Sequence, residues 1–121
     1  MVGHWADFET LVDLIFSRTG WQRISRVGGA QKDIDLVVRD VATGERAFVQ
    51  VKSRAGATVL QDYVQRFESA GLYDRMFFVC HTESDRLDAN LRDDLHLWSG
   101  RRLAELSVST GLFDWLLEKS T

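Results

Sequence analysis

The chain has no proline and a single cysteine, Cys80, among its 121 residues. A lone cysteine excludes an internal disulfide framework. Its place in the apolar run MFFVC reads as a buried strand thiol rather than a nucleophile. No functional consequence attaches to the missing proline. Apolar runs long enough to span a bilayer are absent, and no basic segment followed by an apolar one opens the chain. Together these absences point to a reducing, cytoplasmic setting without a membrane partner. His4, His81 and His96 show no metal-ligand spacing, which argues against a histidine-based metal centre. Repeats, low-complexity tracts and linkers are lacking too, so residues 1–121 read as one domain, long enough for a core. A net charge of −3 does not mark a nucleic-acid binder.

Charge distribution says more than net charge. From Arg23 to Arg54 there are seven basic and four acidic residues, so this stretch is positive and the remainder carries −6. A local positive region attracts phosphate even on an acidic protein, although alternate charges on a hairpin also serve simply as its solvated face. Arg26, Lys32 and Arg54 are the candidates for phosphate contact.

The same stretch reads as a hairpin. DIDLVV and RAFVQVKS are rich in β-branched and apolar residues, and VATGE between them carries turn chemistry. Residues two apart share a face of a strand. Asp33 and Asp35 therefore share one face of their strand, and Gln50 and Lys52 share one face of theirs. If the strands pair, a carboxylate, an amide oxygen and an ammonium can converge. The glycine pair Gly28-Gly29 belongs to a preceding loop, GGAQK.

The remaining chain supplies the flanks. His4 to Arg18 reads as a helix, with Trp5, Val12 and Phe16 within roughly 60° of Glu9 at about 100° per residue. Glu9 thus lies on or beside an apolar stripe, where a carboxylate needs a partner or a path to water. Leu11 and Leu14 point elsewhere, so the helix is either central or part of an interface. WQRISRV alternates as a half-buried strand. Thr58 is the expected cap and Gly71 the stop of a helix over VLQDYVQRFESA, with Val59, Leu60, Tyr63, Val64 and Phe67 on its apolar stripe. Asp74 to His81 reads as a buried strand parallel to a neighbour. A polar loop, the short strand LHLWS and a helix to about Leu117, weakened by SVSTG in its middle, complete the chain. The order is α-β-β-β-α-β-β-α, a mixed α/β sheet with helices on both faces.

Phosphodiester hydrolysis with a divalent cation suits these residues. Mg²⁺ takes hard oxygen ligands, one or two carboxylates beside substrate phosphate and water. Asp35, the carbonyl oxygen of Gln50, and Glu9 (directly or through water) are such ligands. Lys52 would orient or deprotonate the attacking water, or neutralise charge on phosphorus. Plainer roles exist: Asp35 can face solvent, and Lys52 can guard a sheet edge.

In that order, GG-x₃-DID-L-V-V, a strand bearing V-Q-V-K and a glutamate on the preceding helix resemble the PD-(D/E)xK nuclease superfamily, and within it the Mrr-type restriction endonuclease domain. The resemblance runs from the first helix to the strand near His81, and extends less fully through LHLWSGRRLAEL. It implies a restriction endonuclease-like αβββαβ core with a C-terminal strand and helix. It makes Asp35 the metal-binding aspartate, Gln50 the replacement for the usual acidic residue, Lys52 the catalytic lysine and Glu9 the helix-one glutamate. It implies cleavage of DNA with Mg²⁺, for which Mn²⁺ can substitute. Three functions follow. One is a stand-alone endonuclease of defence or resolvase type, acting as a homodimer with Leu11 and Leu14 at the interface. Another is a nuclease module targeted by a partner protein, including a toxin-type effector domain. The last is a non-catalytic relative that binds nucleic acid or protein.

Overall fold

The computed structural model describes residues 5–30, 33–87 and 92–111, and the side chains among them other than those of 5–7, 25–30 and 33–35. The elements are α1 (Trp5–Arg18), β1 (Trp21–Ala30), β2 (Asp33–Asp40), β3 (Arg46–Ala55), α2 (Ala57–Ala70), β4 (Arg75–Glu83), β5 (Leu95–Ser99) and α3 (Gly100–Ser109). The five strands lie in the order β1-β2-β3-β4-β5. The first three form an antiparallel meander. β3–β4 and β4–β5 are parallel, because α2 carries the chain back before β4 begins. This is the restriction endonuclease-like α/β architecture with a C-terminal strand and helix. No helix among the described residues is long and apolar enough to cross a membrane.

Strand alternation sorts the core into two layers. Leu36, Val38, Val49, Val51, Phe77, Val79 and Trp98 pack against α1 and, through Leu103 and Leu106, against α3. Rings dominate that layer: Phe16 stacks on Trp98 at 4.7 Å and meets Phe77 edge-on at 5.0 Å. Each such buried ring is worth about 2 kcal/mol by area. Met76, Phe78 and Cys80 turn to the other face, where Leu60, Tyr63, Val64 and Phe67 of α2 cover them. Burial pushes the Cys80 thiol pKa up, keeping it protonated, and it donates to the Thr82 carbonyl at 2.9 Å.

Several sequence expectations are corrected here. β1 does not stop before the glycines. It continues to Ala30 and pairs Ala30 with Asp33, with a register shift after Val27. Glycines tolerate the extra residue and bend that such a bulge imposes. Leu11 is 3 % exposed and belongs to the core, so α1 is central and Leu11 is not an interface residue. β4 runs two residues past His81, to Glu83.

Helix ends differ as well. α2 begins at Ala57, with Gly56 as N-cap, so Thr58 is not the cap. The Ala57 N–H instead donates to Asp85 Oδ1 at 2.7 Å, an acceptor brought from the loop after β4. A Cβ on Gly56 would lie 2.6 Å from that same oxygen and 2.7 Å from Ser84 Oγ, so a side chain there would have to turn the capping carboxylate aside. Gly71 does stop α2, in the left-handed region at φ 62°. α3 ends at Ser109, where the Thr110 hydroxyl donates to the Leu106 carbonyl at 2.7 Å. The expected continuation to Leu117 lies outside the described residues.

Candidate active site

Gln50 and Lys52 sit on β3, the centre of the sheet. β3 has a partner on each side, so Lys52 does not guard an edge. Val49 and Val51 belong to the α1 layer, and alternation turns Phe48, Gln50 and Lys52 toward α2. Two contacts agree: Phe48 packs in the α2 layer, and Lys52 Nζ stands 5.2 Å from the centroid of the Tyr63 ring on α2.

The antiparallel register puts Asp35 opposite Gln50 and Asp33 opposite Lys52. On its other side Gln50 pairs with Phe78, and Lys52 with Cys80. Both partners are fully buried. Gln50 is 0 % exposed. An amide in such a layer is costly unless its polar atoms are used. Gln50 has interactions of its own, but its Oε1 is buried and accepts no hydrogen bond. A neutral oxygen of this kind, with a carboxylate-bearing residue at the facing position, fits a hard cation such as Mg²⁺. Among the described residues no three His, Cys, Asp or Glu side chains gather as a metal-binding group. The Asp33 and Asp35 side chains lie outside that description.

Glu9 is placed differently. Its helix, α1, covers the face opposite the one carrying Gln50 and Lys52. Phe8 meets His81 edge-on at 5.0 Å, and His81 directly follows Cys80, the partner of Lys52. Glu9 therefore belongs to the same end of the sheet as Lys52 but approaches from the other side. It is partly exposed and has interactions of its own.

The phosphate-contact candidates divide. Arg54 is exposed near the end of β3. Arg26 pairs with Leu36 in register, but its side chain lies outside the described set. Lys32 lies outside the described residues altogether. Sequence reasoning missed Tyr63 and Arg66. Arg66 Cζ stands 4.5 Å from the same ring that Lys52 occupies. Tyr63 was legible only as one ring on an apolar stripe. Its helical spacing of i, i+3 to Arg66 was the available signal.

A concavity lies away from this site, on the α1 side, at the opposite end of the sheet. Its volume is about 370 Å³, and Trp21, Phe77, His96, Trp98 and Arg75 help line it. Arg75 Nη1 is 3.3 Å from His96 Nε2, and Arg75 Nε is 3.3 Å from Glu45 Oε1. Burial, with the charges of Arg75 and Arg102, holds the His96 pKa below its ordinary value.

Comparison with known proteins agrees with this architecture. The fold is similar to that of the Moraxella osloensis Cap4 SAVED/CARF-domain containing receptor, with a TM-score of 0.53 at 13 % identity. The match covers 94 % of this chain and 37 % of the receptor, so the chain spans little more than a third of that protein's length. No curated protein matches. Residues 3–107 match the Mrr catalytic-domain family, described as restriction endonuclease. That match includes both strands of the candidate site and the helix bearing Glu9. The chain belongs to the Mrr-type restriction endonuclease family.

Proposed function

We propose that this chain is a metal-dependent endonuclease that hydrolyses DNA phosphodiester bonds. One observation carries the proposal: the register that sets Asp35 opposite Gln50 and Asp33 opposite Lys52 at the centre of the sheet. Asp35 and Gln50 would hold a divalent cation, Mg²⁺ or Mn²⁺, with Glu9 contributing through water past the strand ends. When bound, the cation supplies Lewis-acid polarisation of the phosphate and a more acidic water. The remaining work belongs to the chain. Lys52, anchored on the central strand and held against Tyr63, orients or deprotonates the attacking water, or offsets negative charge on phosphorus. The apolar neighbours Phe78 and Cys80 exclude bulk water from behind Gln50, which strengthens each electrostatic contact in front of it. Arg54, Arg26 and Lys32 are the proposed phosphate contacts.

Plasmid nicking with Mg²⁺, Mn²⁺ or EDTA, run on wild type, Asp35→Ala and Lys52→Ala, tests this. Cation-dependent nicking lost in both variants is the expected result. Nicking that survives Lys52→Ala would refute the assignment.

A second reading has its own support. The solved receptor of similar fold is a longer protein, of which this chain spans 37 %. By analogy, the nuclease would be delivered by another domain or by a partner protein. Nicking of plain duplex by the isolated chain would count against that dependence.

A further inference from the structure

Two cations share the ring of Tyr63. Lys52 Nζ stands 5.2 Å from its centroid and Arg66 Cζ 4.5 Å. The ring itself is fixed: Tyr63 is 5 % exposed and rests on Phe78, with centroids 6.2 Å apart. An aromatic face attracts cations through its quadrupole, so one side chain gathers both groups. An anionic strand that reaches both meets two positive charges beside one ring.

Arg66 is well placed to receive one. Its present partner is Asp62, at 3.0 Å, and the two side chains are 58 % and 55 % exposed. A surface pair of this kind contributes little, so the guanidinium can exchange Asp62 for a better acceptor at small cost. A planar fork of donors matches a phosphate's oxygens.

We infer that Tyr63 and Arg66 form a phosphate-binding shelf beside Lys52. Arg66 grips a backbone phosphate neighbouring the one that is cut, and Tyr63 is a positioning residue that holds the Lys52 ammonium in place. This rests on the nuclease reading only in assigning Lys52 to the scissile phosphate. The ligand is a continuous strand with at least two adjacent charged phosphates, not a lone phosphomonoester.

The test has a binding arm and a kinetic arm. Fluorescence anisotropy with a labelled duplex, in EDTA and at several salt concentrations, compares wild type with Arg66→Ala. The variant should bind more weakly, and its log–log salt slope should be shallower by about one. A duplex with neutral methylphosphonates flanking the cleavage position should abolish the difference. In Mg²⁺ nicking, Arg66→Ala should raise KM at unchanged kcat. Tyr63→Leu should lower kcat about fivefold, and Tyr63→Phe, which keeps the ring, should restore it. A wild-type salt slope in Arg66→Ala would overturn the shelf, as would wild-type kcat in Tyr63→Leu. Should Tyr63→Leu fail to fold, the exposed Arg66 decides alone. If wild type nicks nothing with any cation, the nuclease reading fails while the salt slope still judges the shelf.

Discussion

Asp35 and Gln50 stand directly opposite each other in the β2–β3 ladder, one pleat away from Asp33 and Lys52. Gln50 has no exposure at all. Replacing it by glutamate puts a carboxylate into an apolar layer. Without a cation, Gln50→Glu should lose about 2 kcal/mol or more of stability, a fall of roughly 8 °C in melting midpoint. Mg²⁺ should restore most of that. A midpoint identical in Mg²⁺ and EDTA would show that no cation binds at Gln50.

Glu9 should behave as an auxiliary group, because its helix covers the opposite face. Glu9→Gln is expected to lower kcat about ten- to hundredfold, the range of an outer-shell partner, whereas Asp35→Ala should abolish nicking. Equal losses in single-turnover assays would instead make Glu9 a direct ligand.

The Gly56–Asp85 junction predicts a coupled pair. Asp85 caps α2 through the Ala57 N–H, so Asp85→Ala should cost about 1 kcal/mol. Gly56→Ala puts a Cβ 2.6 Å from Asp85 Oδ1 and 2.7 Å from Ser84 Oγ; both side-chain ends can turn away, so the cost should be about 1 kcal/mol, that of the displaced cap. In the Asp85→Ala background the second cost should shrink. Urea unfolding of the two single variants and the double variant measures this, and additive losses would contradict it.

His96 gives a pH dependence with a definite sign. Burial, then Arg75 and Arg102, lower its folded pKa below the ordinary 6.5. The unfolded chain therefore takes up the proton first. The contribution to stability is present above 6.5 and is lost as pH falls through that value toward the folded one. Urea midpoints between about pH 8 and pH 5 should fall, and His96→Gln should flatten that part of the curve. An unchanged slope in the variant would assign it to other groups.

What the sequence disclosed depended on how local each signal was. Alternation in DIDLVV and RAFVQVKS located the two strands of the candidate site, and the carboxylate and amide positions meet in the register those runs allow. Gly71 carries its own conformational reason and stops α2 as expected. The start of that helix was not legible, because its acceptor lies 28 residues away on Asp85. Thr58 had the right chemistry for a cap, but a tertiary contact supplied the role instead. Leu11 lay off the narrow stripe through Glu9, yet the sheet and α3 wrap α1 widely enough to bury it. Spacing of i, i+3 brings Arg66 near Tyr63 on a helix, but nothing local brings Lys52 to the same ring, so that contact emerged only from packing.

The position of β3 has a further consequence. The strand is at once the second arm of an antiparallel hairpin and the first strand of a parallel crossover. A slip that kept its apolar side chains facing the core would have to move by an even number of residues. It would have to break ladders of opposite sense on both flanks together. Insertions in the 40–45 turn or after α2 can therefore lengthen the connections without sliding Gln50 past Asp35. The alignment of these two positions is insulated from change in the loops around it.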